Sequence, residues 1–161
     1  MFDLINGIPL HPLVVHAVVV LLPLAALGTI AIVARPRWRL AYGHLVIAAA
    51  VISTALIPVA TSSGEELQKR VGDPGSHAAL GDQLIYVAIP LVLLSSALVV
   101  LERLRACTER PIPTWASPRA VQVVAVLAVL AALASSVQVY RVGDSGARAA
   151  WGDAAAVASV G

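Results

Sequence analysis

The chain is 161 residues long, 59% hydrophobic and 12% charged, with a mean hydropathy of +0.87. A soluble domain carries roughly 25% charged residues, so the composition excludes one and points to an integral membrane protein. The net charge of +2 and the pI near 9.1 require no nucleic acid, because the eleven Lys and Arg fall in short loops between apolar runs, and the single cysteine, Cys107, excludes an internal disulfide.

Charged residues bracket four long gaps: none occurs between Asp3 and Arg35, Arg39 and Glu65, Asp82 and Glu102, or Arg119 and Arg141. These gaps hold 31, 25, 19 and 21 residues. A helical crossing of the hydrocarbon core takes about 20 apolar residues, so each gap accommodates one crossing and none accommodates two. The expected fold is all-α, a four-transmembrane-helix bundle forming a single domain over 1–161, with a lipid bilayer as its surroundings.

The first span, 12–34, opens at Pro12, which suits the first helical position, and contains Pro23, which removes a backbone hydrogen bond and bends its helix. No positively charged stretch precedes it, so it is expected to be retained rather than cleaved. A connector with Arg35, Arg37 and Arg39 leads to the second span, 42–61, dense in small residues (Ala48, Ala49, Ala50, Ser53) that permit close helix approach. Glu65, Glu66, Lys69 and Arg70 then suit a short solvated helix with opposite charges at i,i+4. Ser76 after the Pro74-Gly75 turn suits an N-cap for the third span, 77–101, which contains Pro90. The next connector carries Arg103, Arg105, Arg110 and Arg119 and leads to the fourth span, 119–140, again rich in Ala. In the tail, 141–161, the run Gly143 to Ala147 has turn chemistry and is expected to fold back over the bundle mouth.

Seven basic residues in the first and third connectors face four in the second connector and tail (Lys69, Arg70, Arg141, Arg148). The positive-inside rule then places both termini outside the cytoplasm, in a multi-pass protein of the plasma membrane. Trp38, Tyr42 and Trp115 fall at the inner boundary, and Tyr140 and Trp151 at the outer one, as interfacial aromatics do.

On this layout His11, His16 and His77 share the outer end, while His44 lies at the inner end and is left out of the site. At 1.5 Å per residue, His16 sits about 6 Å into its helix, just below the headgroups, where an imidazole needs a partner. His11 and His16 are five residues apart, roughly 140° off a common helix face, and do not chelate one ion as a helical pair. One turn after His77 comes Gly81, whose bare backbone offers a platform for a flat macrocycle. A histidine from span one and another from span three at similar depth make the arrangement that a bis-histidine haem b requires in a four-helix bundle. The expected ligands are His16 and His77, with Gly81 beside the macrocycle. Asp82 and Asp144 lie at the same end, where either would pair with an imidazole or stand as a solvated charge.

Three motifs resemble a known family. They are Ile5-Asn6-Gly7-Ile8-Pro9-Leu10-His11-Pro12-Leu13-Val14-Val15-His16 with Leu21-Leu22-Pro23-Leu24, then His77-Ala78-Ala79-Leu80-Gly81, and Arg141-Val142-Gly143-Asp144-Ser145-Gly146-Ala147. The chain resembles the bacterial transmembrane family known as domain of unknown function 2231 over its whole four-span length. The resemblance implies a four-helix membrane domain without an established activity, and a likeness to small b-type cytochromes. It departs at Ala17-Val18, where relatives often carry Phe-Pro, and at Asp144, where some carry His.

Three functions remain open on the sequence. The first is a haem b-binding electron-transfer or redox-partner protein. The second is a transition-metal-binding protein holding an ion at the outer mouth with His11, His16, His77 and a carboxylate, Asp82 or Asp144. The third is a structural or accessory subunit, without cofactor, whose histidines cap helices. Other membrane or redox subunits, or further copies of the chain, are the expected partners. No nucleophile and base at a recognisable spacing, phosphate loop or zinc-protease motif is present, so an enzyme acting alone is not expected.

Overall fold

The structure, a computed structural model, describes residues 4–5, 8–72, 75–107 and 117–158. A two-residue ladder comes first: β1 (Leu4–Ile5) pairs antiparallel with β2 (Ile8–Pro9), in the register Leu4 to Pro9 and Ile5 to Ile8. Every other described element is helical: α1 (Leu10–Ala34), α2 (Arg37–Val71), α3 (Ser76–Asp82), α4 (Leu84–Cys107) and α5 (Pro118–Ala158). Among the described residues, four stretches are long and apolar enough to cross a membrane, His11–Ala34, Arg37–Lys69, Ser76–Ala106 and Pro118–Ala149. Helices satisfy their backbone groups internally, which hydrocarbon demands.

The helices form a ring. α1 packs on α2 and α5, α4 packs on the same two, and α1 barely meets α4 across the bundle. Small residues face inward: Ala25, Ala26, Ala50, Ala88, Ala128 and Ala132 are buried, while Leu24, Leu27, Leu45, Leu93 and Leu130 are exposed as a lipid-facing surface. Two glycines set the closest approaches. A Cβ on Gly28 would stand 2.8 Å from a Val46 methyl, and one on Gly43 would stand 2.5 Å from a Val99 methyl.

The two helical hairpins repeat each other. Along α1 and α3–α4, His11, Val18, Leu22, Ala25, Thr29 and Ile32 stand at a constant offset of 66 residues from His77, Leu84, Ala88, Leu91, Ser95 and Leu98. From Val18 and Leu84 onward, all of these are buried. Thr29 and Ser95 both donate to the carbonyl four residues back, at 2.8 and 2.7 Å. Along α2 and α5 the offset is 82: Pro36-Arg37 corresponds to Pro118-Arg119, Ala50 to Ala132, Ser53 to Ser135, Thr54 to Ser136, and Ser63-Gly64 to Ser145-Gly146. The difference lies in the connector, Arg35-Pro36 in the first hairpin and 108–117 in the second. Since α1 and α4 each touch both α2 and α5, the two hairpins occupy equivalent places in the ring.

At the end bearing the arginine-rich connectors, Arg39 is buried. Its Nε donates to the Ile32 carbonyl at 3.0 Å and its Nη2 to the Val33 carbonyl at 3.3 Å, so it caps the last turn of α1. Its Nη1 lies 2.9 Å from Glu102 Oε2, tying α2 to α4. Trp38 meets Tyr42 edge-on at 6.0 Å, with the Arg35 guanidinium 5.8 Å from the Trp38 ring.

Several local expectations are corrected. The third span is not one helix, since Gln83 separates α3 from α4, and the freed Leu80 carbonyl accepts a 2.9 Å hydrogen bond from Gln138 Nε2 on α5. Ser76 is the first residue of α3 and not its cap, a position taken by Gly75 at φ 61°. The run 143–147 makes no turn and stays within α5. There Ser145 bonds the Val142 carbonyl at 2.9 Å and Asp144 pairs with Arg148 one turn on, so the polar groups are satisfied along the helix. Glu66 likewise pairs with Lys69, three residues on, in an uninterrupted α2, which also contains Pro58. Trp115, Arg110 and the side chains of Arg70 and Cys107 lie outside the described residues.

Candidate functional site at the histidine end

His11 stands in the first turn of α1 and reaches across to α2. Its Nδ1 lies 2.9 Å from the Ala60 carbonyl and 3.3 Å from Ser63 Oγ. The ring lies on Gly64, where a Cβ would come within 2.9 Å of His11 Cε1. His77 does the same in the second half. Its Nδ1 lies 3.1 Å from the Val142 carbonyl and 3.1 Å from Ser145 Oγ, and a Cβ on Gly146 would come within 2.9 Å of its Cε1. Each serine also donates to the carbonyl that its histidine contacts, at 3.0 Å for Ser63 and 2.9 Å for Ser145. A carbonyl, then serine at i+3 and glycine at i+4, receives an imidazole in both hairpins.

This geometry fixes the chemistry of the rings. A backbone carbonyl only accepts, so the nitrogen facing it carries the proton. In neutral His11 and His77 the proton is therefore on Nδ1, and Nε2 keeps its lone pair. Metal-ligating histidines have this arrangement, with the far N–H given to a carbonyl or carboxylate so that the ligating nitrogen is oriented and made more basic.

Both imidazoles line one cavity of about 500 Å³, within the roughly 300–1,000 Å³ range of small-molecule and cofactor sites. Helices from both hairpins enclose it, with Val15, Val18, Ile57 and Leu84 supplying apolar wall. Glu65 and Asp82 are the carboxylate-bearing residues of its lining. Gly81 also lines the cavity, and a Cβ there would meet no atom of the described residues within 4 Å, so its bare face opens onto the cavity.

The remaining site candidates are placed elsewhere. His16 is exposed, its Nδ1 bonded to the Pro12 carbonyl of its own helix, and it does not line the cavity. In the repeat its counterpart is Asp82. Asp144 pairs with Arg148 at 2.9 Å and lines a separate polar groove with Tyr140 and Arg141. Among the described residues, no three His, Cys, Asp or Glu side chains come together as a set for one ion. His44 is exposed, toward the arginine end. Pairing His16 with His77 by depth passed over His11, although the constant offset from His11 to His77 and the two Ser-Gly doublets were there in the sequence as a signal.

No curated protein and no solved structure matches the chain. The family described as "Predicted membrane protein (DUF2231)" matches residues 7–159, nearly the full length and both halves of the repeat. With four apolar membrane-crossing helices in agreement with that description, the chain belongs to this family of multi-pass membrane proteins.

Proposed function

We propose that the protein binds haem b in the cavity at the histidine end, with His11 and His77 as the residues that would hold its iron, and works as an electron-transfer or redox-partner protein. One observation carries this reading: two imidazoles from equivalent positions of a repeated hairpin line one apolar cavity, each with Nδ1–H held by a carbonyl and Nε2 left for a metal. A ligand between the hairpins would meet two like donors, one imidazole from each. When bound, haem b would supply a one-electron couple whose potential the axial histidines set. The chain's own residues orient the two rings through Ala60 and Val142, keep water from the cavity wall with Val15, Val18, Ile57 and Leu84, and leave room at Gly81. The arginine-rich connectors support an orientation with the site and both termini at the extracytoplasmic face of the plasma membrane, accessible to a membrane or soluble redox partner.

The test is an absorption spectrum of detergent-purified protein expressed with ample haem. A Soret band is expected in the unmodified chain and in His16→Ala, and loss of it in His11→Ala and in His77→Ala. Absence of the band in the unmodified chain, with elemental analysis showing a bare transition metal or none, overturns the haem assignment. A band that His16→Ala removes and His11→Ala leaves intact overturns the choice of ligands.

A further inference from the structure

The second contact of each imidazole has a role of its own. In both hairpins a serine hydroxyl stands beside the carbonyl that receives Nδ1–H, at 3.3 Å from His11 and 3.1 Å from His77. Because each hydroxyl spends its own proton on that carbonyl, its oxygen lone pairs face Nδ1 as acceptors. The imidazole proton is therefore shared between two oxygens, one of the backbone and one of a side chain. A helix-interior serine needs no partner beyond the carbonyl behind it, as Ser136 shows with Ala132 at 2.9 Å. A second contact repeated at both ends of one cavity is more than local satisfaction.

We infer that Ser63 and Ser145 are positioning residues that tune His11 and His77, strengthening the pull on each Nδ1–H and so raising the donor strength of each Nε2. Backbone carbonyls fix which nitrogen carries the proton, and the serines set how far that proton is drawn away. Stronger donation from Nε2 favours the oxidised, more electron-poor metal, so the serines lower the reduction potential of a haem held between the rings. The proton-sharing part stands on the two hydrogen-bond sets alone, whereas the effect on potential rests on the haem reading.

Two measurements separate these parts. The first is NMR of the ligand-free chain in detergent, labelled with 15N-histidine. Ser63→Ala is expected to move the His11 Nδ1–H proton signal upfield and speed its exchange with solvent while leaving His77 in place, and Ser145→Ala to do the converse. Ser63→Thr and Ser145→Thr, which keep the hydroxyl, should restore the original signals. Ring signals unchanged in both alanine variants overturn the inference. The second is a reductive titration of the haem-loaded protein. Each alanine variant should titrate at a higher potential than the unmodified chain, and the double variant should shift by about the sum of the two. A normal Soret band with an unmoved potential overturns the tuning role and leaves the haem assignment standing. Failure of the unmodified chain to load haem removes the haem assignment and the claim on potential with it, while the ring signals still decide the sharing of the proton.

Discussion

Glycine is the residue that shapes this site, in two opposite ways. Gly64 and Gly146 let an imidazole lie on a helix, since any side chain there would run into the ring. Gly81 does something different: its missing side chain leaves space that no atom of the described residues fills. The two kinds separate folding from binding. Gly81→Leu places its side chain in the cavity, clashes with nothing at Cβ, and replaces a helical glycine that costs about 0.5–1 kcal/mol relative to alanine. Thermal unfolding in detergent should show stability unchanged or raised by up to about 1 kcal/mol, while haem loading falls at least tenfold. Retained loading in a stable Gly81→Leu protein would place the ligand elsewhere.

Helix existence was legible, because uncharged gaps of 19 to 31 residues leave little else for a chain in lipid to form. Helix interruptions were not. Gly81-Asp82-Gln83 lies at the edge of an apolar run and shows no break by composition; the break at Gln83 depends on Gln138, on another helix, accepting the task of bonding the Leu80 carbonyl. The converse error arose at Gly143-Asp144-Ser145-Gly146, where turn-forming residues stay helical because their side chains bond along the helix and His77 packs against Gly146. The histidine partners were hidden for the same reason, being backbone carbonyls 49 and 65 residues away. Among inter-helix ties, Arg39 should matter most for stability. Arg39→Met strands the Glu102 carboxylate and uncaps the last turn of α1, and the loss of charge-assisted bonds at about 1.5–3 kcal/mol each, softened by the partial exposure of Glu102, leads to a net cost of about 2–3 kcal/mol. The companion variant Glu102→Gln, which keeps an acceptor, should lose less than half as much in the same unfolding assay.

For the molecule as a whole, the repeat turns two ordinary hairpins into one site. Each half brings one histidine, one serine and one glycine platform, and neither half has the pair a hexacoordinate iron would need. The halves are nonetheless not held together uniformly. The Gly43–Val99 contact and the Arg39–Glu102 bridge, both between α2 and α4, lie toward one end, whereas at the other end a cavity lies between the hairpins and each imidazole-to-carbonyl bond stays within its own half. The bundle is therefore built like a pair of tweezers, riveted at the arginine end and open at the tips. An occupant bridging the tips would stiffen them without reaching the rivet. Amide hydrogen exchange on loaded and unloaded protein should accordingly gain protection around 60–68, 77–84 and 142–149 and change little around 28–46 and 95–102. Uniform protection along the bundle would mean instead that the hairpins are clamped at both ends before anything binds, and that entry to the cavity is set by the slow opening of a closed molecule.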